Sequence, residues 1–277
     1  MLSSVLRTAT EWETIEKNPM DKVRTVGERA ADKLEFFTPE QAAAFLDYIE
    51  RPYTVKTRGH SRTDDTGIEY AVGDYERTKE VPEQLRVLFN LAIYAGLRKG
   101  ELLALEWSDV DFENDTVTVS KAVSVVAGKQ ITKETKTSRR TVPIPHFLTQ
   151  RIKALRRERL KYRLMLGDYW QGGEWLFIQE NGRQMGYSTP YSAFQDAITR
   201  YNADKPAAQQ LPAIPFHGLR HTSATLLIAG KQDVRTVSSR LGHAQASTTM
   251  NIYAHALSET DRKASNALEN MLAAKAR

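Results

Sequence analysis

Residues His217 to Gly230 read HGLRHTSATLLIAG: two histidines four apart, an arginine between them, then an apolar run closed by glycine. The run predicts a helix over 217–229, and the i, i+4 spacing puts both histidines on one face. Three readings compete: a metal pair, an anion grip, or a helix start that is merely polar. The zinc motif with two histidines needs a general-base Glu between them and a third ligand. Here Gly218, Leu219 and Arg220 lie between, and a guanidinium beside a dication is repelled. His217 and Arg220, three apart, suit a phosphate oxygen better, because a helix N-terminus already favours negative charge. The same macrodipole is expected to lower the pKa of His217 and keep its imidazole neutral.

Outward from this helix the pattern stays mainly helical. Helices are predicted near 146–166, 188–203, 233–240, 246–256 and 259–275. Thr38, Pro39 and Gln41 form the start signal of another, with Ala42, Phe45, Leu46 and Ile49 as its buried stripe. Two more fall between Val81 and Leu105, broken at Gly96. Strands interrupt this order once: SDVDFENDTVTVSKAVSVV alternates around a turn at Glu113–Asp115, and SRRTVPIP is a further short strand. The fold class expected is mainly α with a small antiparallel β-sheet (α+β). Residues 51–80, polar and broken by Gly and Pro, read as a surface insertion with a short hairpin. Residues 1–17 read as a helix carrying Val5, Leu6, Ala9, Trp12 and Ile15, followed by a charged linker.

Composition narrows the chemistry. The 277 residues contain no cysteine, which removes disulfides, thiolate metal sites and cysteine nucleophiles. No stretch reaches the ~18 apolar residues of a membrane span, so no membrane partner and a cytoplasmic setting are expected. The net charge of +5 is a mild preference for polyanions. Cations cluster in RIKALRRERLKYR (151–163), whose plain reading is a solvated helix face, and in TKETKTSRR (132–140), which lies between strands.

In YAGLRKGELLALEW, Gly96 ends one helix and Arg98 sits at the start of the next, with Glu101 placed to hold its guanidinium in a bidentate pair. SSRLGHAQASTTMNIYAHA puts His243 after a helix-ending Gly242 and Tyr253 ten residues later. Each segment alone has a plain structural reading. Taken together, AGLRKGELLAL, KETKTSRRTVPIP, HGLRHTSATLL and LGHAQASTTMNIYAH resemble, in order and spacing, the signature regions of the tyrosine recombinases, the phage-integrase family. The resemblance runs from about 36 to 257. The insertion and the TKTSRR segment are most similar to integrases of conjugative transposons and Gram-positive prophages.

The resemblance implies the tyrosine-recombinase catalytic fold over 36–257. It also implies double-stranded DNA as substrate, and catalytic roles for Arg98, Lys136, His217, Arg220, His243 and Tyr253. Glu101 and His221 would support them from behind. Tyr253 would attack a phosphate to leave a 3′-phosphotyrosyl link, Lys136 would protonate the departing 5′-oxygen, and neither metal, cofactor nor ATP would take part. Residues 1–20 resemble the terminal helix of a truncated core-binding domain, with 21–35 as linker. Residues 258–277, with Leu257 just before them and an apolar stripe of Ala264, Leu268, Met271 and Leu272, would be a tail helix exchanged between protomers of a synaptic tetramer. An excision accessory protein is a further expected partner. Two alternatives stand beside this reading: DNA relaxation of the type IB topoisomerase kind, and a non-catalytic DNA-binding module that acts with an intact recombinase.

Overall fold

The computed structural model describes residues 2–23, 35–63, 65–135 and 139–242. The chain divides into two compact units, Met1–Leu34 and Glu35–Arg277. In the first, helix α1 spans Leu2–Glu11 and a 3-10 turn follows at Pro19–Lys22, capped by the Asn18 side chain on Met20 N. The helix is shorter than the expected 1–17. Glu13 takes a positive φ of 56°, and Thr14 N donates to Ala9 O at 2.9 Å, so the chain closes with the reversal usually made at glycine. A glutamate there conceals the stop from a sequence reading.

The second unit begins with α2 (Pro39–Glu50), whose Thr38–Gln41 capping box forms as expected. The 51–80 insertion is two nested antiparallel pairs and not one short hairpin. The outer pair joins β1 (Tyr53–Thr57) to β4 (Tyr75–Lys79), and the inner pair joins β2 (His60–Thr63) to β3 (Glu69–Val72). Helix α3 (Glu83–Tyr94) and the short α4 (Lys99–Leu103) follow, separated by Gly96 at φ 64°. Leu241 Cδ2 would lie 2.7 Å from a Cβ at Gly96, so the turn there is both left-handed and crowded.

Strands β5 (Val110–Asp111), β6 (Thr116–Val119) and β9 (Arg140–Pro143) form one antiparallel sheet in the order β5-β6-β9. Between β6 and β9 the chain runs out through β7 (Lys121–Val126) and back through β8 (Lys129–Glu134). Thr135 N donates to Ser120 O at 2.8 Å and joins the two ladders into one long bent hairpin. Its tip is Ala127–Gly128, both at positive φ, the geometry of a tight primed turn. Because alanine seldom takes that conformation, the sequence shows no turn signal at Ala127, and β8 was not expected.

Helices α5 (His146–Leu166), α6 (Thr189–Asn202), α7 (Gly218–Ala229) and α8 (Val234–Leu241) complete the described unit, each within a residue of its predicted bounds. The helices predicted at 246–256 and 259–275 lie outside the described residues. The core centres on aromatic rings from α2, α3, α6 and the approach to α7. Phe45 meets Phe194 edge-on at 5.2 Å and Phe89 at 5.5 Å, with Phe37 and Phe216 around them. Phe37 N donates to Thr222 Oγ1, which in turn donates to Gly218 O, so the start of α7 is fastened to the core.

Candidate active site

The starts of α4, β9 and α7 and the end of α8 meet where the described candidate residues converge. Arg98 caps α4, half-exposed, and its backbone N donates to Glu101 Oε2 at 2.9 Å. Its Nη1 donates to Glu101 Oε1 at 2.9 Å. The bidentate partner of Glu101 is a different residue. Arg140, at the start of β9, places Nη1 3.0 Å from Oε1 and Nη2 2.8 Å from Oε2. The carboxylate is 2% exposed. Burial, the largest influence, pushes its pKa up. The hydrogen bonds and charge of Arg140, then of Arg98, outweigh that and hold it below the ordinary value. Glu101 is therefore an ionised hub between two guanidiniums.

The sequence carried one sign of Arg140, the paired arginines just ahead of a strand, where alternation puts Arg140 on the same face as Val142. Val142, two residues on, is fully buried, and Thr141 and Pro143 are exposed.

Arg220 is 2% exposed and lies among the largest buried side chains. It donates from Nη1 to Gly96 O at 2.7 Å and from Nη2 to Leu241 O at 2.5 Å. It thus braces the turn that presents Arg98 against the end of α8. That end is held by three guanidiniums on consecutive carbonyls. Arg140 Nε donates to Arg240 O at 2.7 Å, Arg220 to Leu241 O, and Arg98 Nη2 to Gly242 O at 3.4 Å. A helix C-terminus leaves carbonyls without intrahelical partners and carries partial negative charge, so cations suit it. Gly242, at φ 68°, turns the chain out of α8, and a Cβ there would come within 2.8 Å of Arg140 Nη1. His243 is the next residue.

His217 precedes the first turn of α7 and is exposed. Its ring packs edge-on against His221, with centroids 4.8 Å apart. His221 is half-buried, and burial, then the charges of His217 and Arg220, lower its pKa to about 4. It stays neutral at any pH near 7, as a packing partner would.

Arg98, Glu101 and His217 line a common cleft of about 460 Å³. Its wall includes Lys99, which no sequence signal marked: Nζ stands 3.9 Å above the Tyr187 ring, and burial lowers its pKa. The structure therefore brings Arg98, Glu101, His217, Arg220 and His221 together. Lys136, His243 and Tyr253 lie outside the described residues, although β8 and β9 flank the first and α8 leads directly to the second.

A sequence profile described as the Phage integrase family matches residues 71–260. The chain belongs to that family. Among curated relatives, a tyrosine recombinase XerC-like protein of Caldanaerobacter subterraneus subsp. tengcongensis is 33% identical over 216 residues, 71% of this chain and 52% of the relative. The ICEBs1 integrase of Bacillus subtilis is 24% identical over 98% of this chain and 64% of its own length. The chain thus spans about half to two-thirds of these relatives. Among solved structures, the Tn1549 transposon integrase in complex with transposon right end DNA superposes with a TM-score of 0.70 at 22% identity, covering 96% of this chain and 76% of that one. The helical body with its small antiparallel sheets is accordingly the fold of this integrase family.

Proposed function

We propose that the chain is the catalytic part of a site-specific DNA recombinase of a mobile element, cutting and rejoining double-stranded DNA through a 3′-phosphotyrosyl intermediate. The observation that carries this is the cleft itself. A half-exposed Arg98, oriented by a buried ionised Glu101, stands in one cleft with an exposed His217, and the buried Arg220 ties its rear wall to the helix end that leads to His243. That is an oxyanion site with a proton acceptor beside it. The integrase and recombinase relatives supply the reaction class.

In this reading Tyr253 Oη attacks the scissile phosphorus and the P–O5′ bond breaks. The tyrosine proton passes to His217, and Lys136 gives a proton to the departing 5′-oxygen. Charge gathering on the non-bridging oxygens is met by Arg98 and Arg220, and His243 donates a hydrogen bond. Rejoining is the reverse, with the 5′-hydroxyl of another strand as nucleophile. The ester energy is kept in the phosphotyrosine, so ATP is not needed, and the side chains supply the acid, base and cations without a metal. A tetramer on DNA, an excision accessory protein and a cytoplasmic setting belong to the same reading. Among the described residues, no helix is long and apolar enough to cross a membrane.

The test is covalent trapping on nicked duplexes carrying candidate element ends, in excess EDTA. The wild type should form a covalent complex that maps to Tyr253. Tyr253→Phe should form none while binding DNA within a few fold. A complex that persists in the variant, or one that needs a divalent metal, overturns the reading.

A further inference from the structure

Away from the cleft, helix α5 holds a buried cation that, among the described residues, no anion matches. Arg159 is 9% exposed, and its one described hydrogen bond runs from Nη2 to the neutral Gln84 Oε1 at 3.2 Å. Its Nη1 is buried without a partner. Burying a guanidinium is costly unless a carboxylate or other anion accompanies it. Burial accordingly pushes its pKa down to about 10, and only Tyr162 opposes this.

Arg159 lines a crevice of about 50 Å³ together with Arg156 and Arg163, its neighbours at i−3 and i+4 on the same helix face. Their guanidiniums lie near the faces of the indoles that form the walls, Arg156 6.0 Å from Trp107 and Arg163 5.8 Å from Trp170. The second wall is fixed in place. Gly182 takes φ 86°, and a Cβ there would come within 2.7 Å of the Trp170 ring. The only carboxylate lining the crevice, among the described residues, is Glu174. It is mostly exposed and reaches Arg163 at 3.5 Å, not Arg159. The crevice shares no lining residue with the catalytic cleft.

Beside it the helix exposes apolar side chains that a solvated face has no use for. Leu160 is 55% and Leu164 83% exposed. Arginine clusters and aromatic walls beside apolar surface are the composition of a protein-binding patch. We propose that this face of α5 docks an acidic amphipathic segment of a partner protein, one carboxylate entering the crevice to pair with Arg159 while apolar neighbours cover Leu160 and Leu164. A DNA backbone is the poorer occupant. The crevice admits one small anionic group, and its surroundings are apolar, which suits a side-chain carboxylate flanked by apolar residues better than a continuous phosphate backbone.

The pairing gives Arg159 a signature that a structural arginine lacks. In the free protein, replacing a buried cation that no described anion answers by an apolar side chain of similar length removes a cost. The full chain carrying Arg159→Met should melt higher, by about 2–4 °C. The binding probe is a short fluorescein-labelled helical peptide of glutamate and leucine, with a glutamine-for-glutamate version as control. The wild type should bind the glutamate peptide, and Arg159→Met should bind it at least about tenfold more weakly. Arg163→Gln, on the exposed rim, should also weaken binding and leave the melting temperature unchanged, which keeps the binding arm readable if Arg159→Met folds poorly. A lower melting temperature for Arg159→Met overturns the proposal. So do absence of peptide binding, equal binding of the glutamine peptide, or loss of duplex DNA affinity in either variant.

Discussion

At the scale of single residues, the site is organised around Glu101. A carboxylate 2% exposed between two guanidiniums is stable only while its charge is answered. Arg140→Met leaves Arg98 as the one described cation on it, and should cost about 3 kcal/mol in urea unfolding. Arg140→Lys keeps the charge and loses the fork, so a smaller loss is expected. His221 makes a prediction about pH. Its pKa falls from 6.5 to about 4 on folding, so the unfolded chain binds the proton more readily between those values. Its contribution to stability is complete above 6.5 and is lost as pH falls toward 4. Unfolding free energy measured across that window should decline less steeply in His221→Leu than in the wild type. The sequence showed both histidines and Arg98, Glu101 and Arg220, because their spacing on helices fixes who can face whom. It marked Arg140 only as one of a cluster of cations ahead of a strand, because its partner lies 39 positions away and is reached only through the sheet.

At the scale of elements, α4 and the long hairpin touch through a glycine. A Cβ on Gly100 would lie 2.3 Å from Val123 O, so β7 packs directly on the helix that carries Arg98 and Glu101. Gly100→Ala must push β7 and β8 outward, and with them the approach to Lys136. We expect covalent-complex formation to fall by at least about tenfold while DNA affinity holds. Helices with capping signals and clear periodicity were legible from sequence, α2 and α5 almost to the residue. What was hidden were turns built on unusual residues, Glu13 ending α1 and Ala127 turning β7 into β8, because their positive φ is imposed by surrounding structure. The insertion was recognised as polar, but its nested pairing depends on register, which exposed strands specify weakly.

At the scale of the whole molecule, the second unit has its own core. The described core begins at Phe37, fully buried and bonded to Thr222 across 185 positions, and no described core residue precedes it. A chain starting at Glu35 should unfold cooperatively within about 3 °C of the full chain, as calorimetry would show. A broad, non-cooperative transition would mean that the first 34 residues complete the core. The order of the signature segments was legible in the sequence. Their convergence was not, because Gly96 and Leu241, joined through Arg220, are neighbours only once α3, α7 and α8 have packed.

The fastening of the α8 end bears on how parts of such proteins can be exchanged. Three consecutive carbonyls are gripped by side chains from α4, β9 and α7, so the helix end is specified by positions scattered over more than a hundred residues. A chimera that grafts the segment from Val234 onward out of a relative imports the helix without its anchors. Such grafts should succeed only when residues 98, 140 and 220 travel with the segment or already match it. The inheritable unit is thus a discontinuous set of positions, and a crossover drawn at the loop before α8 cuts through it.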